Sequence, residues 1–184
     1  MRSLPKPAAR RITVQVLDVG TLAPEFSFTD LDGRGVTLSG ALAAGPVVLV
    51  FAHPSINASR LVVGYLRRLP EIAPQAQILV LSEGGPEETV LYARPNGPGE
   101  PYLSFPVGVD ACQVSSLYRA THLPATYLIG TDGKIISAYT GFGKFFLNAL
   151  AGTVATLTGA KPKELITDGD NKGFYELAER GPCA

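Results

Sequence analysis

Residues 47–51, Val-Val-Leu-Val-Phe, form an apolar block without alternation, the pattern of a strand buried on both faces. A short Pro-containing loop follows. After it Leu61, Val62, Tyr65, Leu66 and Leu69 recur at helical intervals, with Ser55 or Asn57 available to cap the first turn and Pro70 to end the helix. Residues 77–81 form a second apolar run, so strand, helix and strand make a right-handed βαβ unit. The loop at 53–59 therefore sits where a central strand ends and a helix begins, the usual place for chemistry in α/β proteins.

The flanking segments fill in the order. Residues 11–19 alternate enough for a strand, and Asp30-Leu-Asp-Gly33 is a turn between two short strands, with 41–46 as a small-residue connector. Pro86 opens a helix to about Ala93, with Glu87 and Glu88 in its first turn. A Pro/Gly loop at 95–99 leads to a third parallel strand over 105–109. Asp110 then caps a helix from near Cys112 to about Thr121. Residues 123–129 and 134–139 flank Thr131-Asp-Gly133 as an antiparallel hairpin, and Phe146, Leu150, Val154 and Leu157 line one face of a closing helix. The expected fold is α/β, a three-layer sandwich around a central mixed sheet flanked by helices, with an N-terminal β-hairpin extension. It divides into an arm and strand at 1–17, a body at 18–158 and a tail at 159–184.

Composition narrows the possible roles. The chain has 184 residues, enough for one well-filled core, and 16 basic residues balance 16 acidic ones without a basic run, which argues against nucleic acid as a partner. No apolar run reaches membrane-spanning length, and Met1–Arg11 lacks the apolar block of a secretory signal, so a cytoplasmic protein is expected. Cys112 and Cys183 are too few for a disulfide framework. Cys112 begins a helix on the rim that carries residues 53–59, which leaves it either a redox thiol or a small, partly buried apolar residue. A bridge to Cys183 is geometrically possible. His53 and His122, on facing loops, lack the further partners that a triad or zinc site needs, and no metal or other cofactor is expected. Asp168, Asp170, Gly173 and Glu179 match the spacing of a calcium loop, but Lys172 puts a cation where an oxygen ligand belongs. A turn leading into a short amphipathic helix fits better, folding back through Phe174, Tyr175 and Leu177 over the body or a partner subunit.

Several motifs together carry a family resemblance. Gly20-x-x-Ala23-Pro24-x-Phe26, Asp30-x-Asp32-Gly33-x-x-Val36-x-Leu38-Ser39, the block Val47–Phe51, and Leu123-Pro124-x-Thr126-Tyr127-Leu128-Ile129-x-x-Asp132-Gly133-x-Ile135 resemble the thioredoxin-like redoxins. That group includes the alkyl hydroperoxide reductase/thiol-specific antioxidant proteins and the thiol oxidoreductases of cytochrome maturation. The resemblance spans about residues 18–158 and implies a thioredoxin-like fold. It also implies a cysteine pair, or one peroxidatic cysteine, in the loop after the central strand, where a helix N-terminus favours thiolate. The matching positions here run from Ile56 to Ser59, and neither holds sulfur. Serine without a paired base does not replace a thiolate. Pro124 matches the family's cis-proline, which implies a groove for an extended peptide or partner protein formed by His53, Pro54, Ser55, Leu123 and Pro124. A homodimer is a further possibility. Three functions follow as expectations: a non-catalytic binding or regulatory module, a divergent thiol oxidoreductase or peroxidase using Cys112, or, if the tail helix buries the groove, a structural or dimeric interaction protein.

Overall fold

The computed structural model describes residues 16–93, 103–170 and 175–183. In chain order the elements are β1 (Ser27–Thr29), β2 (Gly35–Thr37), α1 (Leu38–Ala44), β3 (Val47–Ala52), α2 (Asn57–Leu66), α3 (Leu69–Ile72), β4 (Gln77–Ser82) and α4 (Pro86–Ala93). They continue as β5 (Val107–Val109), α5 (Gln113–Leu117), β6 (His122–Leu123), β7 (Ala125–Ile129), β8 (Ile135–Thr140), β9 (Phe142–Gly143), α6 (Lys144–Thr158), β10 (Tyr175–Glu176) and β11 (Glu179–Arg180).

The core is a five-stranded mixed sheet in the order β5-β4-β3-β7-β8. Strand β3 is central, parallel to β4 and antiparallel to β7, and all six of its residues are buried. Each fully buried Val, Leu or Phe side chain favours the folded state by roughly 1.5–3 kcal/mol, so this strand anchors the molecule. Around it Phe51, Tyr118 and Tyr127 form an aromatic cluster with centroids 5.3–6.1 Å apart. Helices flank the sheet, giving the α/β thioredoxin-like architecture.

The extension before β3 lies across the sheet from one side to the other. Residues 20–23 pair with the start of β8, through Gly20 N–H to Ile135 O at 2.8 Å and Ile135 N–H to Thr21 O at 2.9 Å. The β1–β2 hairpin then meets β5 on the opposite side, through Leu31 N–H to Val107 O at 2.9 Å and a bridge between Asp30 and Gly108.

Several expectations need correction. The small-residue connector is largely helix α1, because Thr37 Oγ1 accepts the Gly40 N–H and supplies a cap. Pro70 does not merely end a helix. It occupies the first turn of α3, where its missing N–H costs nothing. The third parallel strand starts at Val107, and α5 stops at Leu117. The buried face of α6 is Leu147, Leu150, Ala151, Val154 and Ala155, whereas Leu157 is exposed and Phe146 lies at the rim, stacked on Tyr139. Residues 16–19 lead into a turn and not a strand; 11–15, the arm, the loop at 95–99 and Phe174 lie outside the described residues.

The largest departure is the tail. In place of a helix, 175–176 pair antiparallel with β9 and 179–180 pair antiparallel with β6. Asp170 is held by Arg68 at 2.7 Å and Asp168 by Lys144 at 2.6 Å, so both aspartates of the calcium-like stretch face cations. Among the described residues no group of three or more His, Cys, Asp or Glu could hold a metal.

Candidate functional site

The loop leaving β3 is closed by short local bonds. His53 N–H donates to Ser59 Oγ at 3.2 Å, and the Ser55 N–H donates to His53 Nδ1 at 3.2 Å, with Ser55 Oγ 2.8 Å from the same nitrogen. The Arg60 guanidinium donates to Pro54 O at 2.8 Å. Ser59 is fully buried, its hydroxyl used to terminate β3, and Ile56 is 6% exposed. Neither Ser55 nor Asn57 caps α2. Ile56 stands at the N-cap without a side-chain bond, and the Asn57 side chain is turned to the tail. Tyr92 OH donates to Ser59 O at 3.0 Å, tying α4 to the first turn of α2.

Facing this loop, the Leu123–Pro124 peptide bond is cis. Leu123 and Pro124 are both buried, and the backbone edge just before the proline is taken by β11, with Glu179 opposite Leu123 and Arg180 opposite His122. His122 Nδ1 lies 3.1 Å from Thr121 Oγ1, so each histidine has its own neighbour on its own loop.

On the same rim, Cys112 and Cys183 form a disulfide with Cα atoms 5.1 Å apart. Cys112 is exposed, contrary to the buried alternative, and Cys183 is half-buried. Cys112 takes a left-handed conformation just before α5, whose N-terminus is held by Asp110: Oδ1 accepts from Gln113 and Val114 N–H, and Oδ2 from Ser115 N–H. Next to the bridge lies Glu83, directly after β4. Its Oε2 accepts the Cys183 N–H at 3.2 Å, while Oε1 is buried with no partner. Burial, reinforced by nearby Asp110, pushes the Glu83 carboxyl up to about 7, against lowering by the Cys183 N–H. The signal for Glu83 in the sequence is a carboxylate two positions after the apolar run at 78–81. A separate cleft of about 390 Å³, lined by Asp30, Arg34, Leu103 and Phe105, shares no residue with this loop.

The profile of the AhpC/TSA family matches residues 19–138. The chain belongs to that family, the thioredoxin-like redoxins. Among curated relatives, this AhpC/TSA member is similar to the thiol-disulfide oxidoreductase ResA of Geobacillus thermodenitrificans, 32% identical over 67% of this chain and 70% of the relative. It is also similar to the methylamine utilization protein MauD of Paracoccus versutus, 24% identical over 70% of this chain and 62% of the relative. It thus spans about three fifths of that relative's length. Of solved structures, a putative thiol:disulfide interchange protein DsbE from Chlorobium tepidum superposes with a TM-score of 0.68 at 22% identity, covering 78% of this chain and 99% of the other. Peroxidoxin BcpB from Mycobacterium tuberculosis gives 0.59 at 19%, covering 78% and 97%. The fold is shared across both redoxin branches. The loop at 53–59 contains no cysteine.

Proposed function

We propose that this AhpC/TSA-family chain is a binding module whose working surface is the groove beside Pro124, and that its loop at 53–59 carries no redox chemistry. One observation carries the reading: an extended segment, the chain's own tail, already pairs backbone to backbone with His122 and Leu123. A groove edge that accepts one extended chain offers the same donors and acceptors to another. Ile56 and Ser59 are committed to packing and to the end of β3, and the loop at 53–59 holds no thiol.

A second reading has its own support. Cys112 is exposed and disulfide-bonded to Cys183, a pair that a thiol oxidoreductase or peroxidase could open and close. Insulin reduction and hydroperoxide turnover by the full chain separate the two. The binding module gives background rates in both wild type and Cys112→Ser. Robust turnover abolished by Cys112→Ser replaces it with the enzyme. Iodoacetamide labelling of reduced Cys112 across pH adds a check, since an apparent pKa well below that of a free thiol favours the enzyme. With the cytoplasmic location proposed here, a disulfide would be a transient, redox-sensing one, as cytosolic disulfides usually are.

A further inference from the structure

The tail fits the lip of the groove at successive points. At its start both oxygens of the Glu176 carboxylate accept from the Asn57 amide nitrogen, at 2.6 and 2.8 Å. Asn57 is oriented for this by Arg60, which donates to its Oδ1 at 3.2 Å. The tail backbone then passes Gly141 so closely that a Cβ there would lie 2.6 Å from Glu176 O and 3.0 Å from Ala178 N. After β11, the Gly181 N–H donates to Thr121 O at 3.0 Å. Gly181 has no room for a side chain either, since a Cβ would fall 2.7 Å from Glu83 Oε2 and 2.8 Å from Leu123 Cδ1. The last contact is covalent, the bond from Cys183 to Cys112. A glycine on the body and a glycine on the tail thus mark the two close approaches, with a carboxylate site at one end and a disulfide at the other.

The geometry points to residues 175–183 as an intramolecular ligand of the groove, locked by Cys112–Cys183 and released when a dithiol reductant opens that bond. The vacated edge then takes an extended peptide with an acidic side chain at the Asn57 amide. This rests on the groove being a peptide-binding surface, as proposed above. In the redox step a reductant thiolate attacks Cys112 Sγ, the more accessible sulfur; the Cys112–Cys183 bond breaks and Cys183 leaves as thiolate. The second reductant thiolate then attacks the mixed disulfide, forming the reductant's own disulfide and freeing Cys112. Two electrons and two protons pass from the dithiol to the protein, leaving two thiols. While the bond is closed, the tail cannot leave the edge. Once it opens, the tail is held only by reversible contacts, two short strand pairs, the Asn57–Glu176 contact and the bonds of Gly181 to Thr121 and Cys183 to Glu83, and a competing peptide sees its affinity reduced by the fraction of molecules with the groove still filled.

The test is fluorescence polarisation with a labelled peptide of residues 175–183 carrying Ser in place of Cys183. It is run on the oxidised full chain, the chain in dithiothreitol, C183S, and the double variant G181L/C183S, whose tail can no longer seat. Amide hydrogen exchange at 121–123 and 142–143 in wild type, with and without dithiothreitol, reads tail release without any variant. The expected order is no binding to oxidised protein, binding on reduction or in C183S, and at least about tenfold tighter binding to G181L/C183S, because a tethered competitor acts at about millimolar effective concentration. Asn57→Ala weakens the peptide, as does Ala at the Glu176 position within it. Equal binding to oxidised and reduced protein overturns the inference, as does unchanged exchange protection after reduction; in that case the groove reading stands if G181L/C183S still binds. Release of the tail with no peptide binding in any state overturns the groove reading, and the ligand with it.

Discussion

Glu83→Gln isolates the cost of keeping a carboxyl beside the Cys183 end of the bridge. Glu83 is 8% exposed and its carboxyl is pushed from 4.5 up to about 7, chiefly by burial. At low pH both the folded and the unfolded chain hold the proton. Between about 4.5 and about 7 the folded chain keeps a proton that the unfolded chain has released, so stability falls as pH rises through this window. At 1.36 kcal/mol per pKa unit the loss reaches about 3 kcal/mol by pH 8, an upper figure for a single group. Glutamine cannot ionise, and its amide oxygen can still accept the Cys183 N–H. Its amide group adds a constant offset, so the diagnostic is the slope with pH. Urea unfolding of the oxidised protein, from about pH 5 to about pH 8, should show the wild type losing about 2.5 kcal/mol relative to Glu83→Gln, the rest of the loss lying below about pH 5. A wild-type-minus-variant difference that stays flat over that range would refute the reasoning.

Two further outcomes are expected. Reducing the disulfide, or making C112S/C183S, removes a cross-link between residues 71 apart and should lower unfolding stability by up to about 4 kcal/mol, read from urea midpoints with and without dithiothreitol; an unchanged midpoint would argue that the bridge constrains nothing in the unfolded chain. Asp110→Ala strips the carboxylate that accepts three backbone N–H groups at the start of α5 and should cost about 2 kcal/mol by the same measurement, with Asp110→Asn costing less.

The sheet was legible because its strands carry strong local signals. Val47–Ala52 is uniformly apolar and fully buried, and Asp110 stands where a helix cap belongs. What escaped the sequence lacked a local cause. Helix α1 is seven residues with Gly40 inside it and depends on the Thr37 cap, so small residues passed for a connector. The stripe on α6 was displaced because Ala151 and Ala155 fill the core while the more conspicuous Phe146 stacks on Tyr139 at the rim. The tail has helical spacing, but its described part takes its shape from two backbone edges distant in sequence, and tertiary pairing overrode propensity. Ile56 and Ser59 could be placed from their loop alone. Glu83 and the Cys112–Cys183 bridge depend on contacts across 71 residues or more and leave no periodic trace.

The segment that lies across the sheet from β8 to β5 also guards the molecule's solubility. Outer strands with free backbone groups are templates on which further chains polymerise. Here residues 20–23 cover the start of one outer strand and the hairpin covers the other, so residues 20–37 act as a fender against fibre growth as much as a part of the core.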